Sequence, residues 1–577
     1  MDPLRAAQQS LARAGGEDGG IEKRAAEMIR LASAIIVLGA MSVTSQEVSS
    51  ESRPFRPRAV PLAVVDPYFS VWSTADALTS DVTRHWTGAP MSFCGMARID
   101  GKPYRFAGPV PTEVPPMHQN RLAVGPTRTV YTFEASGVLL TITFVTPLLL
   151  DNLDVMSRPV SYVLLDAASG DGHTHDVGLY VDVSAEWVVN TTDQAVRWNR
   201  NSFAGNKPLT VLRIGSQDQP VLQKSGDDLR TDWGYLYLVF PDAPGSRGLV
   251  TSADAARKAF AQTGALPETD DVRMPRRAND EMPVLACSMN LGAVRSTNQG
   301  RRLVTLVYDD LYSVEYFRQK LRAYWRWDGT EIEGLIVKAV EEFEALNGRC
   351  ARFDQEILED ARKTGGEDYA DIVALAYRQA VAAHKLVTAS TEPHPERRAY
   401  EKFWPLLFSK ECSSGGCMST VDVSYPSSPM FLLFNTDLLR ALLEPVFQYS
   451  ASGKWLHDFA PHDVGLYPQA NGQFYGGGPD NLDMQMPVEE SANMLIMVCA
   501  MAHIDGDAKY ARRYWDLLTR WADYLRARGL DPENQLCTDN FAGYLAHNTN
   551  LSISNRQTIR TLRGVCCWFI LSPLLSA

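Results

Sequence analysis

The hydrophobic periodicity of this chain changes once, near Tyr308, and that change constrains its architecture more than any other feature. From about Pro54 to Tyr308 the apolar residues come in short β-branched and aromatic runs, among them Thr129-Val-Tyr-Thr-Phe, Val138-Leu-Leu-Thr-Ile-Thr-Phe-Val, Val177-Gly-Leu-Tyr-Val-Asp-Val and Tyr235-Leu-Tyr-Leu-Val-Phe, separated by Gly, Pro, Asp and Asn clusters. Such runs suit a pleated, half-buried surface, and many of them at this spacing predict a β-sandwich. Beyond Tyr308 the step becomes three and four residues. Helices are expected over Val314 to Tyr324, Glu333 to Ala361, Tyr369 to Val387, Asn435 to Tyr449, Glu489 to His503 and Ala508 to Arg528, with cap-type residues at Asn435 and Asp505 and a stop at Gly529. The fold class is multidomain β plus α, a sandwich followed by an all-helical unit.

Residues 262–282 are polar and read as a surface loop. Two much longer loops interrupt the helical unit, one from Glu392 to Met430 and one from Gly453 to Val488. Loops of this length inside a compact domain usually carry function.

Composition removes several classes. With 577 residues, 45% of them hydrophobic, the chain buries a sizeable core and is not disordered. Lys plus Arg number 56 against 68 Asp plus Glu, a net charge of -12 without a basic run, which excludes a nucleic-acid footprint and makes polyanionic partners unexpected. No paired CxxC ladder, HExxH, GxSxG, SxxK or Walker A motif is present, so neither a metal nor a cofactor is implied. Cys412 and Cys417 flank two glycines and would either close a disulfide in an oxidising compartment or stand as a thiol pair beside a functional loop.

Three segments concentrate polar groups. Phe408 to Pro426 carries Lys410, Glu411, Thr420 and Asp422; Phe459 to Asn493 carries His462, Asp463, Tyr467, Tyr475, Glu489 and Glu490; Cys537 to Asn548 carries Asp539, His547 and Asn548. Asp422, Asp463, Glu489, Glu490 and Asp539 are the candidate catalytic carboxylates, because crowded acids push one carboxyl towards general-acid range while another stays ionised. Asp458, Asp480 and Asp483 are expected to add to that crowding. Lys410, Glu411, His462, Tyr467, Tyr475, His547 and Asn548 are the candidate substrate-binding residues. Each has a structural alternative. Glu489 and Glu490 follow Pro487 at a helix start, where the dipole favours carboxylates; Asp422 and Asp463 suit turns and caps; His462 and His547 suit internal hydrogen bonds. Successive helical residues point about 100° apart, so only one of the two glutamates is expected to face a given pocket.

These residues carry a resemblance. Arg58-Ala-Val-Pro-Leu-Ala-Val-Val-Asp-Pro-Tyr-Phe-Ser-Val-Trp-Ser with Thr83-Arg-His-Trp-Thr-Gly, Thr420-Val-Asp-Val-Ser-Tyr-Pro, His462-Asp-Val-Gly-Leu-Tyr-Pro, Pro487-Val-Glu-Glu-Ser-Ala-Asn-Met and Asp539-Asn-Phe-Ala-Gly-Tyr-Leu-Ala-His-Asn resemble the glutaminase A family of exported bacterial and fungal proteins over about residues 54–552. The resemblance implies an N-terminal β-rich module over 54–310, a helical linker over 311–366 and an (α/α) toroid of six-hairpin glycosidase type over 367–553. It also implies hydrolysis of L-glutamine to L-glutamate and ammonia. On that reading one carboxylate activates water, another acid or His462 protonates the leaving nitrogen, and Lys410 holds the substrate carboxylate. Two other functions fit the same fold: a six-hairpin glycoside hydrolase with Trp404, Tyr467 and Tyr475 as aromatic subsites, or a non-catalytic carbohydrate-binding protein.

Both ends differ from the family pattern. Residues 554–577 show neither helical spacing nor strand alternation and read as a frameshifted or mis-spliced tail that leaves the toroid incomplete. Residues 1–45 read as an extension plus a signal: an apolar run at 31–41, too short to anchor in a bilayer, follows Lys23, Arg24 and Arg30, and Met28 is the expected start. Secretion is the expected fate, without a stable membrane anchor. N-terminal sequencing of the exported protein is expected to place the mature end beyond residue 40; an end upstream of it removes the export reading.

Overall fold

The computed structural model describes residues 55–203, 205–295, 300–388, 405–538 and 543–558. The signal-like run, Trp404, Asp539 and most of the tail lie outside the described residues.

The β-rich region is a sandwich. Nine antiparallel strands form one sheet in the order Arg276–Arg277, Ala195–Phe203, Leu209–Ser216, Tyr235–Pro241, Gly300–Asp309, Val160–Ser169, Val138–Val145, Arg128–Ala135 and His118–Val124. Five form the other, with His175–Ser184 at its centre. Phe133, Phe144, Leu165 and Leu306 from the first sheet and Val181 and Leu285 from the second share one core. Alternation breaks down in Val160–Ser169, where nearly every position is buried. The cause is a third layer: Ile332–Ala382 (α1) lays Ile336, Ala339 and Phe343 on the outer face against Tyr162, Leu164 and Val239. The segment expected as a linker is therefore a packed layer through its first half. Gly366, at φ 82° and ψ -170°, breaks α1 in two.

Between sandwich and α1 the structure corrects the expected helix at Val314 to Tyr324. Val314–Tyr316 and Gln319–Leu321 form a hairpin, and Val314–Tyr316 pairs in parallel with Gln469–Ala470 from the second long loop. Phe317 and Arg318 make the turn at positive φ, which a helix forbids.

Among the described residues the helical unit comprises Val421–Phe434 (α2), Thr436–Ala451 (α3), Pro487–Asp505 (α4), Trp515–Arg528 (α5) and residues 549–558 (α6), with a short helix Lys509–Arg513 ahead of α5 that breaks the expected Ala508 to Arg528 helix at Tyr514. Helix α2 falls inside what the sequence suggests is a loop reaching Met430, because Pro426 and Pro429 mask it. Ser427 and Ser428 hydroxyls donate to the Ser424 and Tyr425 carbonyls at 2.9 and 2.7 Å, taking up acceptors near the prolines. Helix α6 likewise runs through Ser554, so at least residues 554–558 are helical despite their irregular spacing. Leu442, Phe447, Leu495, Val498, Trp521 and Leu551 join these helices in one core. No helix among the described residues is long and apolar enough to cross a membrane.

Buried charges lock the helical unit to the sandwich. Arg378 donates to the Leu62 carbonyl at 3.0 Å and the Thr129 hydroxyl at 3.1 Å. Lys385 lies 2.6 Å from Asp66 and 2.9 Å from Asp310, and Asp66 also accepts the Tyr68 and Phe69 N–H groups at 2.9 Å. Burial opposes ionisation of Asp66, but Lys385 and these bonds outweigh it and hold the carboxyl below its ordinary value. Its contribution is present at neutral pH and is lost as pH falls through that lowered value. Asp66→Ala is expected to cost about 3–5 kcal/mol at pH 7 in a denaturant melt, and less at acid pH.

Candidate active site

The site assembles where the first turns of α2 and α4 meet the loop between α3 and α4. Asp422 sits in the first turn of α2, and Glu489 and Glu490 in the first turn of α4 behind Pro487. His462 and Asp463 come from the intervening loop. One oxygen of Asp422, one nitrogen of His462 and one oxygen of Glu490 all lie within 4.8 Å of one another. His462 Nε2 faces Asp422 Oδ1 at 3.7 Å.

Asp463 organises this loop. Fully buried, it accepts the Gly465 and Phe474 N–H groups on Oδ1 at 2.9 and 2.8 Å, and the Tyr475 N–H and His462 Nδ1 on Oδ2, both at 3.0 Å. A carboxylate so saturated has no lone pair left for activating water, so Asp463 is a positioning residue. It fixes the His462 ring with Nε2 towards Asp422. Tyr475 stacks on the other face of that ring, centroids 4.0 Å apart at 19°. The His462 N–H donates to Gln473 at 2.9 Å.

The electrostatics divide the acids. Glu490 is completely buried, and burial, then the charges of Asp422 and Glu489, push its carboxyl well above the ordinary range. Only Asn493, one turn on, offsets this, and neither carboxyl oxygen makes a well-formed hydrogen bond. Glu489 is raised by burial and by Asp422, partly offset by hydrogen bonds from Thr538. Burial alone would lower His462, but Asp463, Asp422 and Glu411 outweigh it and hold the imidazolium above its ordinary value. Asp422 Oδ1 is buried without a hydrogen-bond partner.

Thr538 is the residue the sequence reading missed. Its hydroxyl reaches Asp422 Oδ2 at 3.0 Å and Glu489, and its N–H donates to Glu489 at 2.8 Å. Glu490 thus approaches Asp422 directly, and Glu489 is joined to it through Thr538. The only sequence signal for Thr538 is its place beside Asp539.

The remaining candidates divide. Glu411 borders the site, holding Thr420 at 3.4 Å. Lys410 does not present a substrate anchor: it is buried, 2.6 Å from Asp227 and 4.5 Å over the Trp86 ring. Tyr467 is a core residue packed on Tyr68 at 5.0 Å. His547 lies on the surface, 2.5 Å from Asp531, and Asn548 caps α6 through the Asn550 N–H at 3.0 Å. Asp458, Asp480 and Asp483 are exposed and do not crowd the site. Gly416, at φ 72°, comes so close to Asp227 that a Cβ would lie 2.8 Å from its Cα, which seats the segment bearing Lys410 and Asp422 against the carboxylate that also pairs with Lys410.

Cys417, His462 and Asp463 also fall within 4.8 Å, the residue types of a nucleophilic triad. Burial and the charges of Asp463, Glu411 and Asp422 push the Cys417 thiol far above its ordinary value, so it is not a thiolate at neutral pH. Cys412 and Cys417 are both free thiols.

The glutaminase A six helical-hairpin domain matches residues 366–565, and two domains of unknown function, DUF5127 and DUF4964, match 127–360 and 34–117. Glutaminase A of Aspergillus oryzae (strain ATCC 42149 / RIB 40) is 29% identical over 519 residues, covering 88% of this chain and 72% of that protein. Residues 366–565 belong to the glutaminase A six helical-hairpin domain, and the chain is similar to glutaminase A along most of its length. A protein of Arthroderma benhamiae named as a probable glutaminase is 26% identical over 609 residues, covering 90% of this chain and 67% of its own. Among solved structures, a human-microbiome chain described as a kojibiose phosphorylase aligns at TM-score 0.44 and 11% identity over 88% of this chain and 63% of its own length. A bacterial glucoamylase bound to acarbose aligns at 0.39 and 10% over 90% and 69%.

The site holds its thiol as a bystander. Cys417→Ser is expected to keep activity within a few-fold of the native protein, and iodoacetamide is expected to leave the folded protein active; a cysteine nucleophile would lose all activity in both tests.

Proposed function

We propose that this chain is an exported amidohydrolase that converts L-glutamine to L-glutamate and ammonia at the Asp422–His462–Glu490 cluster. The observation that carries this reading is the pairing of an unpartnered Asp422 oxygen with a buried Glu490 held in its neutral form, a base and an acid within 4.8 Å. Asp422 Oδ1 takes a proton from water as its oxygen bonds to the amide carbon. Glu490 delivers a proton to nitrogen as the C–N bond breaks, and ammonia leaves. The proton on Asp422 then restores Glu490. His462, held charged between Asp463 and Asp422, stabilises negative charge developing on the carbonyl oxygen. Glu411, at the border of the site, receives the substrate α-ammonium group.

The helices α2 to α6 are read here as hairpins of an (α/α) toroid whose mouth is the site.

Ammonia release from L-glutamine tests the reading directly. Asp422→Asn and Glu490→Gln are each expected to lower kcat by about 10²–10⁴-fold with folding intact, the range of a lost general base or acid. Reducing-sugar release from a glycan panel, with no ammonia from glutamine, would overturn the proposal.

A further inference from the structure

We propose that Asp422, His462 and Glu490 also form a binding site for a divalent transition cation of the Zn²⁺ class, held by one oxygen from each acid and by the imidazole Nε2. The inference rests on where the site lies and not on the reaction assigned to it.

Three observations point to a cation. The first is spacing. Bonds of about 2.0–2.2 Å around a tetrahedral ion separate its ligand atoms by about 3.3–3.6 Å. Asp422 Oδ1 and His462 Nε2 stand at 3.7 Å, and the whole trio lies within 4.8 Å, so side-chain rotation of about 1 Å closes it.

The second is the state of the ligand atoms. Asp422 Oδ1 and both Glu490 oxygens are buried with no hydrogen-bond partner, although nearly every other buried carboxylate described above is saturated. Glu490 itself is 0% exposed. Acceptors withdrawn from water and left unmatched are costly, and a cation matches one oxygen of each acid at once.

The third is the support behind them. Asp463 holds His462 by Nδ1, leaving Nε2 directed at the trio, and the Thr538 hydroxyl holds Asp422 by its other oxygen at 3.0 Å. A carboxylate behind the imidazole and a donor behind the ligating acid are the outer contacts that orient metal ligands. The neighbouring trio of Cys417, His462 and Asp463 lacks this quality, because both Asp463 oxygens are already occupied by hydrogen bonds. An imidazole among the ligands favours Zn²⁺, Cu²⁺, Fe²⁺ or Ni²⁺ over Ca²⁺ and Mg²⁺. None of this shows as a motif, since the ligands come from α2, a loop and α4, with Asp422 and His462 separated by all of α3. Because the cation uses the same atoms as the amide, the two compete.

The full chain, stripped by chelator and dialysed, is titrated with ZnCl₂ in the absence of glutamine. The expected result is one tightly bound zinc per chain, counted by atomic emission, with Kd weakened by about 100-fold or more in Glu490→Gln and by about 10–100-fold in Asp463→Asn, where only the support of His462 is lost. Both variants are checked by circular dichroism. X-ray absorption of the native zinc form, which needs no variant, is expected to show one imidazole and otherwise oxygen ligands. Absence of stoichiometric zinc, binding unchanged in Glu490→Gln, or sulfur in the coordination shell would overturn the proposal. Failure to release ammonia from glutamine, with zinc bound as described, would overturn the hydrolytic reading alone.

Discussion

The placement of the site depends on charge buried between two units that fold by different rules. Arg378, Lys385 and Lys410 leave the helical side and find their partners on the sandwich side, at Leu62 and Thr129, at Asp66 and Asp310, and at Asp227. Each would be expensive alone, and an apolar contact could slide where these cannot. Their sequence order explains their effect. Arg378 closes α1, Lys385 lies in the strand His384–Val387, and Lys410 follows the strand Leu406–Ser409 that pairs with it. The chain therefore enters the segment bearing Glu411, Thr420 and Asp422 already fixed to the sandwich.

Inside that frame, Asp463 sets the second requirement. A loop as long as Gly453 to Val488 would ordinarily cost entropy to hold in one shape. One buried carboxylate collecting three backbone N–H groups and an imidazole converts residues 462–475 into a rigid cradle. The Val314–Tyr316 strand pairs the same loop to the sandwich side. His462 is thus aimed by contacts that never touch a substrate, which is how precision is maintained at a site built largely on a loop.

What the sequence disclosed follows from which signals are local. The change of period at Tyr308, the caps at Asn435 and the stop at Gly529 are local, and they mark the sandwich and most helices correctly. Helix α2 was hidden because Pro426 and Pro429 break a local rule that Ser427 and Ser428 partly repair. The Val314 hairpin was hidden because its strand partner, Gln469–Ala470, lies in a distant loop. At the site, residue types pointed to Asp422, His462 and Glu490 but could not separate them from Lys410, Tyr467 and His547. Those three carry the same chemistry and differ only in neighbours: Asp227 neutralises Lys410, Tyr68 covers Tyr467, and solvent surrounds His547. Thr538 was silent because a bridging hydroxyl has no pattern of its own.

The unmatched oxygens of Asp422 and Glu490 link stability to function. Each buried acceptor without a partner costs about 1–3 kcal/mol relative to a matched one, so the free site holds strain that the rest of the fold must offset. The offset is available because Asp463 and Asp66 are so fully bonded elsewhere. A substrate amide brings two N–H donors, a water brings two O–H donors and a cation brings positive charge, and each satisfies part of the same set of oxygens. The affinity of the cluster for any of them therefore includes the recovery of a desolvation cost already borne in folding. A site of this kind is selective by what it lacks, and filling it with residues that bond one another would make a more stable protein with nothing left to bind.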